Sequence, residues 1–198
     1  DLIVNPVDAT AEKLHRLVQN PGAFDVFYFA DGELVLWGFQ ISEGSPLDGV
    51  ILKDLRQRYD RIPGLIVGIS REEGLVIPSG EDELRDGDQI YVLLKRSKTA
   101  DFMAIAHPES EVVQQVFIAG ATQLGIEVAK RLEGSVKSIV LVEKDRAKAE
   151  KASETLEKSL VLHGNITDAD FAEENRIGDA DFFLSLENGD AENLTNAL

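Results

Sequence analysis

Val116-Phe117-Ile118-Ala119-Gly120-Ala121-Thr122-Gln123-Leu124-Gly125 decides the fold of the second half of this chain. Four apolar residues read as a buried strand, and Gly125, Val128, Ala129 and Leu132 then recur at helical spacing. Between strand and helix lies a turn with glycine at its first and last positions. That is the layout of a dinucleotide loop, in which the first glycine makes the tight turn, the second lets the backbone approach pyrophosphate and the third packs helix on strand. Here the second glycine is Thr122, whose Cβ is expected to crowd a diphosphate, while the helix N-terminus still offers N–H groups and its positive dipole end.

Downstream the same rhythm continues. Ser138 to Val142, Ser159 to Leu162 and Phe182 to Leu186 are short and nearly all apolar, each separated from the next by a helical stretch, as strands of a parallel sheet covered on both faces must be. The second strand ends at Glu143, 23 residues beyond Gly120, where a ribose hydroxyl acceptor is expected, and an acid there argues against a 2′-phosphate. Lys144 is placed to reach a phosphate or stack on a base. Gly164-Asn165-Ile166-Thr167 leaves the third strand and Ser185 the fourth. Both are carboxyl ends, the ligand side of such sheets, so Asn165 is a candidate for an adenine edge and Ser185 for a ribose or phosphate. Thr167 is also a candidate helix cap.

Upstream the pattern is different. Asp25 to Ala30 and Glu33 to Phe39 are β-branched and aromatic runs joined by Ala30-Asp31-Gly32, a hairpin signal. Strands are also expected at Leu65 to Ser70, Leu75 to Pro78 and Gln89 to Leu94, with helices at about Leu47 to Arg58 and over 98–106. The alternation predicts an α+β lobe over 23–106. Residues 1–22 read as a connector from a preceding lobe, with Leu2-Ile3-Val4 as a strand end and Asp8 capping a helix to Val18. The polar His107-Pro108-Glu109-Ser110-Glu111 divides this lobe from the parallel one over 112–198, which is expected to be incomplete at its C-terminus.

Composition removes other classes. With no cysteine there is no disulfide, thiolate nucleophile or Cys-ligated zinc. The net charge is −16, and neither half is basic, so nucleic acid is not an expected partner. Apolar runs never exceed five residues, and Asp1 opens no signal peptide, so a cytoplasmic location is expected. The three histidines have no metal-like spacing, and Tyr91 and Lys95 share a strand face too far apart for a proton couple. No nucleophile and base arrangement stands out, so an enzyme is not expected.

The order of parts resembles the RCK/KTN regulatory proteins of bacterial potassium transport. Ser45-Pro46-Leu47-Asp48-Gly49, Gly64-Leu65-Ile66-Val67-Gly68-Ile69 and Leu84-Arg85-Asp86-Gly87-Asp88-Gln89-Ile90-Tyr91-Val92 look like the family's C-terminal lobe. Residues 112–198 look like the start of a nucleotide-binding N-terminal lobe, with Asp190-Ala191-Glu192-Asn193 where the family has Asp-Glu-x-Asn. Thr122 and Asn165 depart from its pattern. The resemblance implies an α+β lobe followed by a Rossmann-like parallel-sheet lobe that binds NAD or NADH, alternatively ATP or ADP, through Gly120, Ala121, Thr122, Gln123, Leu124, Gly125, Glu143, Lys144, Asn165, Ile166 and Ser185. It implies a homo-oligomer formed through these lobes, peripheral on the inner membrane face and docked on a potassium transporter. The rival readings are a fragment of a nicotinamide-dependent dehydrogenase and a structural dimerisation lobe without ligand.

Overall fold

The computed structural model describes residues 5–55, 63–71, 74–106 and 113–197. The strand end at residues 2–4, the linker at 107–111 and the end of the helix expected to reach Arg58 lie outside the described residues. The chain forms two compact units, Asn20–Glu111 and Val112–Leu198, the latter together with Asp1–Gln19.

The first unit is an antiparallel sheet of five strands, β1 (Ala23–Phe29), β2 (Leu34–Gln40), β3 (Gly64–Arg71), β4 (Gly74–Val76) and β5 (Gln89–Lys95), in the order β1-β2-β5-β3-β4. Alternation turns Val35, Trp37 and Phe39 of β2 and Ile90, Val92 and Leu94 of β5 into the core. After β5, one helix of this unit, Thr99–Ala106, adds Phe102, whose ring centre lies 6.1 Å from Trp37 and 6.0 Å from Phe39. Ala30, Asp31 and Gly32 all take positive φ at the hairpin. Over the first part of the helix expected from Leu47 to Arg58 there is instead a bridge at Ile51 followed by a short 3₁₀ turn, Leu52–Asp54, and helix begins only at Leu55. Backbone bonds from Gly49 N–H to Leu84 and from Leu84 N–H to Val50 claim this stretch for pairing, which overrides its apolar spacing.

The second unit begins with α1 (Pro6–Gln19), followed after the first unit's helix, α2, by β6 (Gln115–Ala119), α3 (Gln123–Leu132), β7 (Ser138–Glu143), α4 (Arg146–Thr155), β8 (Leu160–His163), α5 (Ala169–Glu174), β9 (Phe182–Ser185) and α6 (Asp190–Ala197). The sheet is parallel with the order β8-β7-β6-β9. Val116, Ile118, Ile139 and Leu141 face one side with Val128 and Leu132 of α3, while Phe117, Val140 and Val142 face the other with Phe171 and Phe183. Burial on both faces explains the unbroken apolar runs.

Helix α1 packs on α3 through Ala11 and Val18, so the segment read as a connector belongs to the parallel unit. It starts three residues earlier than expected, with Pro6 at its first position and the Asn5 side chain accepting from Val7 N–H at 3.1 Å. Asp8 pairs with Arg131 of α3, which also holds Glu12 at 2.8 Å and Glu127 at 3.1 Å.

Candidate functional site

In this sheet the chain runs outward from β6 to β7 and β8, then crosses back to place β9 on the other side of β6. The order therefore reverses between β6 and β9, and open α/β sheets bind ligands at the carboxyl ends beside such a reversal. The Gly120 to Gly125 loop sits at that point.

Its two glycines are there for different reasons. Gly120 has φ +102°, and a Cβ on it would lie 2.9 Å from the Leu186 carbonyl oxygen and 3.1 Å from Glu187 nitrogen. Gly125 is required by packing, since a Cβ there would come within 2.1 Å of the Gly120 carbonyl oxygen. The position between them needs no glycine: Thr122 has φ −73° and ψ 168°, ordinary extended backbone. Thr122 is the N-cap of α3. Its hydroxyl accepts from Gly125 N–H at 3.0 Å and donates to the Leu186 carbonyl at 2.8 Å.

Glu143 is 2% exposed at the end of β7. One carboxylate oxygen accepts from Ala121 N–H at 2.7 Å and the other from Asp145 N–H at 2.9 Å. The loop thus satisfies Ala121 and Gly125 N–H from within the chain. Thr122, Gln123 and Leu124, at the cap and in the first turn of α3, have no intrahelical acceptor for their N–H groups and are the donors an anion would meet. That donor set fits one phosphate group.

The remaining predicted residues are partly drawn into the fold. Lys144 is exposed next to Glu143, and its carbonyl lies 3.2 Å from His163 Nε2. The Asn165 side chain accepts from Thr167 N–H at 3.2 Å and from its hydroxyl at 2.9 Å, closing its own turn. Ile166 packs on the Phe117 face of the sheet. Ser185 donates to Asn193 Oδ1 at 2.9 Å and accepts from Asn196 at 3.2 Å. The cap of α5 is Asp168 rather than Thr167, its carboxylate accepting from Asp170 and Phe171 N–H. Asn193 was a motif position in the sequence with no role assigned, and here it also accepts from Glu187 N–H at 2.8 Å and donates to the Glu187 carbonyl at 3.0 Å. Among the described residues no group of metal-ligating side chains comes together.

Two family models match the chain, the TrkA-C domain over residues 38–107 and the TrkA-N domain over 116–198. The chain belongs to the TrkA family. A relative is the Trk system potassium uptake protein TrkA of Azorhizobium caulinodans, 28% identical over 200 residues that cover 100% of this chain and 44% of the relative. The chain thus spans less than half the length of this TrkA. Among solved structures the RCK domain of GsuK superposes with a TM-score of 0.61 at 19% identity, covering 96% of this chain and 40% of that one. The GsuK channel bound to NAD gives 0.60 at 18% identity, with 96% and 33% covered. At these identities the likeness establishes the fold. No helix among the described residues is long and apolar enough to cross a membrane.

Proposed function

We propose that this TrkA-family chain is the nucleotide-sensing part of a cytoplasmic regulatory subunit that docks on a membrane potassium transporter. The observation that carries the reading is the glycine-built loop at the strand-order reversal, with a helix N-terminus aimed at it and a buried acid holding it. The family's naming for potassium uptake, and the NAD carried by a channel of the same fold, support the same direction. A bound adenine nucleotide would place a phosphate at Gln123 and Leu124 N–H. Its ribose would approach Glu143, whose oxygens each keep a lone pair beyond the amide already accepted. Lys144 would face the phosphates or the base.

Regulation then needs no chemistry. A nucleotide that binds one arrangement of the lobes better than another shifts their populations, and a transporter that prefers the same arrangement follows. Assembly into homo-oligomers through these lobes would couple several such sites. Calorimetric titration of the chain with NAD, NADH, ADP and ATP tests the reading. Saturable binding of at least one is expected, and heat of dilution alone for all four overturns it.

A further inference from the structure

Building on that nucleotide reading, we infer that the parallel lobe selects an adenosine mononucleotide over a dinucleotide, and that Thr122 sets the selection. In doubly wound sheets a dinucleotide lies across the reversal, one half on each side, whereas a mononucleotide stays on one side. Here that line runs between the loop after β6 and the loop after β9. Three features close it.

The Thr122 hydroxyl spans it directly, bonded to Leu186 on the far side and to Gly125 on the near side. Beneath that bond the two backbones are already in contact, with room at Gly120 for a hydrogen atom and not for a methyl group. On the far side Asn193 fastens the loop by bonds to Ser185, to Glu187 N–H and to the Glu187 carbonyl, so residues 185–187 are held from behind. The side of β7 and β8 is built differently, since Lys144 and Asn165 stand exposed there.

Donor supply agrees with this geometry. With Ala121 N–H given to Glu143 and Gly125 N–H given to Thr122, the loop retains donors for one phosphate. A dinucleotide buries both phosphates of its bridge, while ADP can leave its terminal phosphate in water.

The test is the ratio of dissociation constants for NAD and ADP, measured by calorimetry on the 198-residue chain and three variants. The parent is expected to bind ADP at least about tenfold more tightly than NAD, which is about 1.4 kcal/mol. Thr122→Ser keeps the hydroxyl and should keep the ratio. Thr122→Gly removes the bridge at little cost to the cap and should narrow the ratio about tenfold, by strengthening NAD. Asn193→Ala frees the far loop and should narrow it in the same sense, which keeps the test open if one variant does not fold. Equal affinities in the parent, or a ratio unmoved by both Thr122→Gly and Asn193→Ala, overturn the selection and leave nucleotide sensing standing. Failure of NAD and ADP alike to bind the parent overturns the selection, and nucleotide sensing falls with it only if NADH and ATP fail as well.

Discussion

Two carboxylates are buried among the described residues, one in each unit, and they are answered in opposite ways. Asp88, 4% exposed in the antiparallel unit, meets a cation: Arg71 grips both of its oxygens at 2.7 Å, and Arg85 N–H adds a bond at 2.9 Å. Glu143 in the parallel unit meets the backbone amides of Ala121 and Asp145. A cation cancels the buried charge and locks β3 to the turn before β5, which is a purely structural outcome. Amides hold an anion by dipoles alone, and here one of them, Ala121, belongs to the glycine loop while the other, Asp145, follows β7. The contrast separates a carboxylate that ties a strand to a turn through a cation from one that ties the glycine loop to the end of β7 through amides.

The largest expected effect comes from breaking the cancelled pair. Asp88→Ala removes the carboxylate that Arg71 holds with two nitrogens, while its bond to the Glu83 carbonyl remains, a loss placed at about 3 kcal/mol, the low end for buried pairs because Arg71 is partly exposed. Urea unfolding followed by Trp37, the sole tryptophan and buried in the same unit, measures it. A loss below about 1 kcal/mol, the level of a surface pair, would erase the contrast.

The same site carries a pH signature. Burial opposes ionisation of Asp88, but the Arg71 hydrogen bonds, the Arg85 amide and the positive charges of both arginines outweigh it and hold the carboxyl below its ordinary value. A depressed folded pKa stabilises above the unfolded value, about 3.9 for Asp, and that stabilisation is lost as pH falls through the folded value. Acid titration of Trp37 fluorescence should therefore show a steep loss below about pH 4 that Asp88→Asn flattens. An unchanged acid limb in Asp88→Asn would assign the transition to other carboxylates.

Glu143→Ala is expected to cost the parallel unit about 1 to 3 kcal/mol, the penalty for leaving donors without an acceptor. Faster hydrogen exchange at the Ala121 and Asp145 amides, with the Trp37 transition unmoved, is the signature that keeps the two carboxylates distinct. A Trp37 transition that shifts as much as the exchange would merge them.

The smallest effect sharpens the role of α1. Arg131 binds Asp8, Glu12 and Glu127 with about a quarter of its side chain in water, so Arg131→Ala should cost about 1 kcal/mol in low salt and less in high salt. Thermal melts of the parallel unit at two ionic strengths read this, and a salt-independent loss would mean that the arginine acts by packing its stem.

Much of the architecture is legible in the sequence. Alternation at Val35, Trp37 and Phe39 told of a sheet that buries one face, and the apolar runs at 116–119 and 139–142 told of a parallel one. Gly120, Gly125 and Glu143 stood out at their proper separations. The expected helix starts later than Leu47, at Leu55, because the apolar spacing of 47–54 is shared by a stretch that packs irregularly, and nothing local announces the bridge from Ile51 to Glu83. The cap at Asp168 was misplaced by one residue, since Thr167 and Asp168 are both good caps and only the Asn165 turn, which takes the Thr167 hydroxyl, decides between them.

What the sequence determined by itself was therefore whatever repeats along the chain: strand periodicity, the loop with its glycines, and the acid at the end of the next strand. What only the tertiary structure decided was where each polar group spends its hydrogen bonds. Thr122 read as an obstacle to a ligand, and it became a bridge because Leu186, 64 residues away, brings a carbonyl to its hydroxyl. Ser185 read as a free hydroxyl until Asn193 and Asn196 closed on it. Asn193 itself carried no signal beyond a motif position. Periodicity is a local property and survives in one dimension. A buried donor must find an acceptor wherever the fold supplies one, and that supply exists only after the sheet has brought β6 and β9 together.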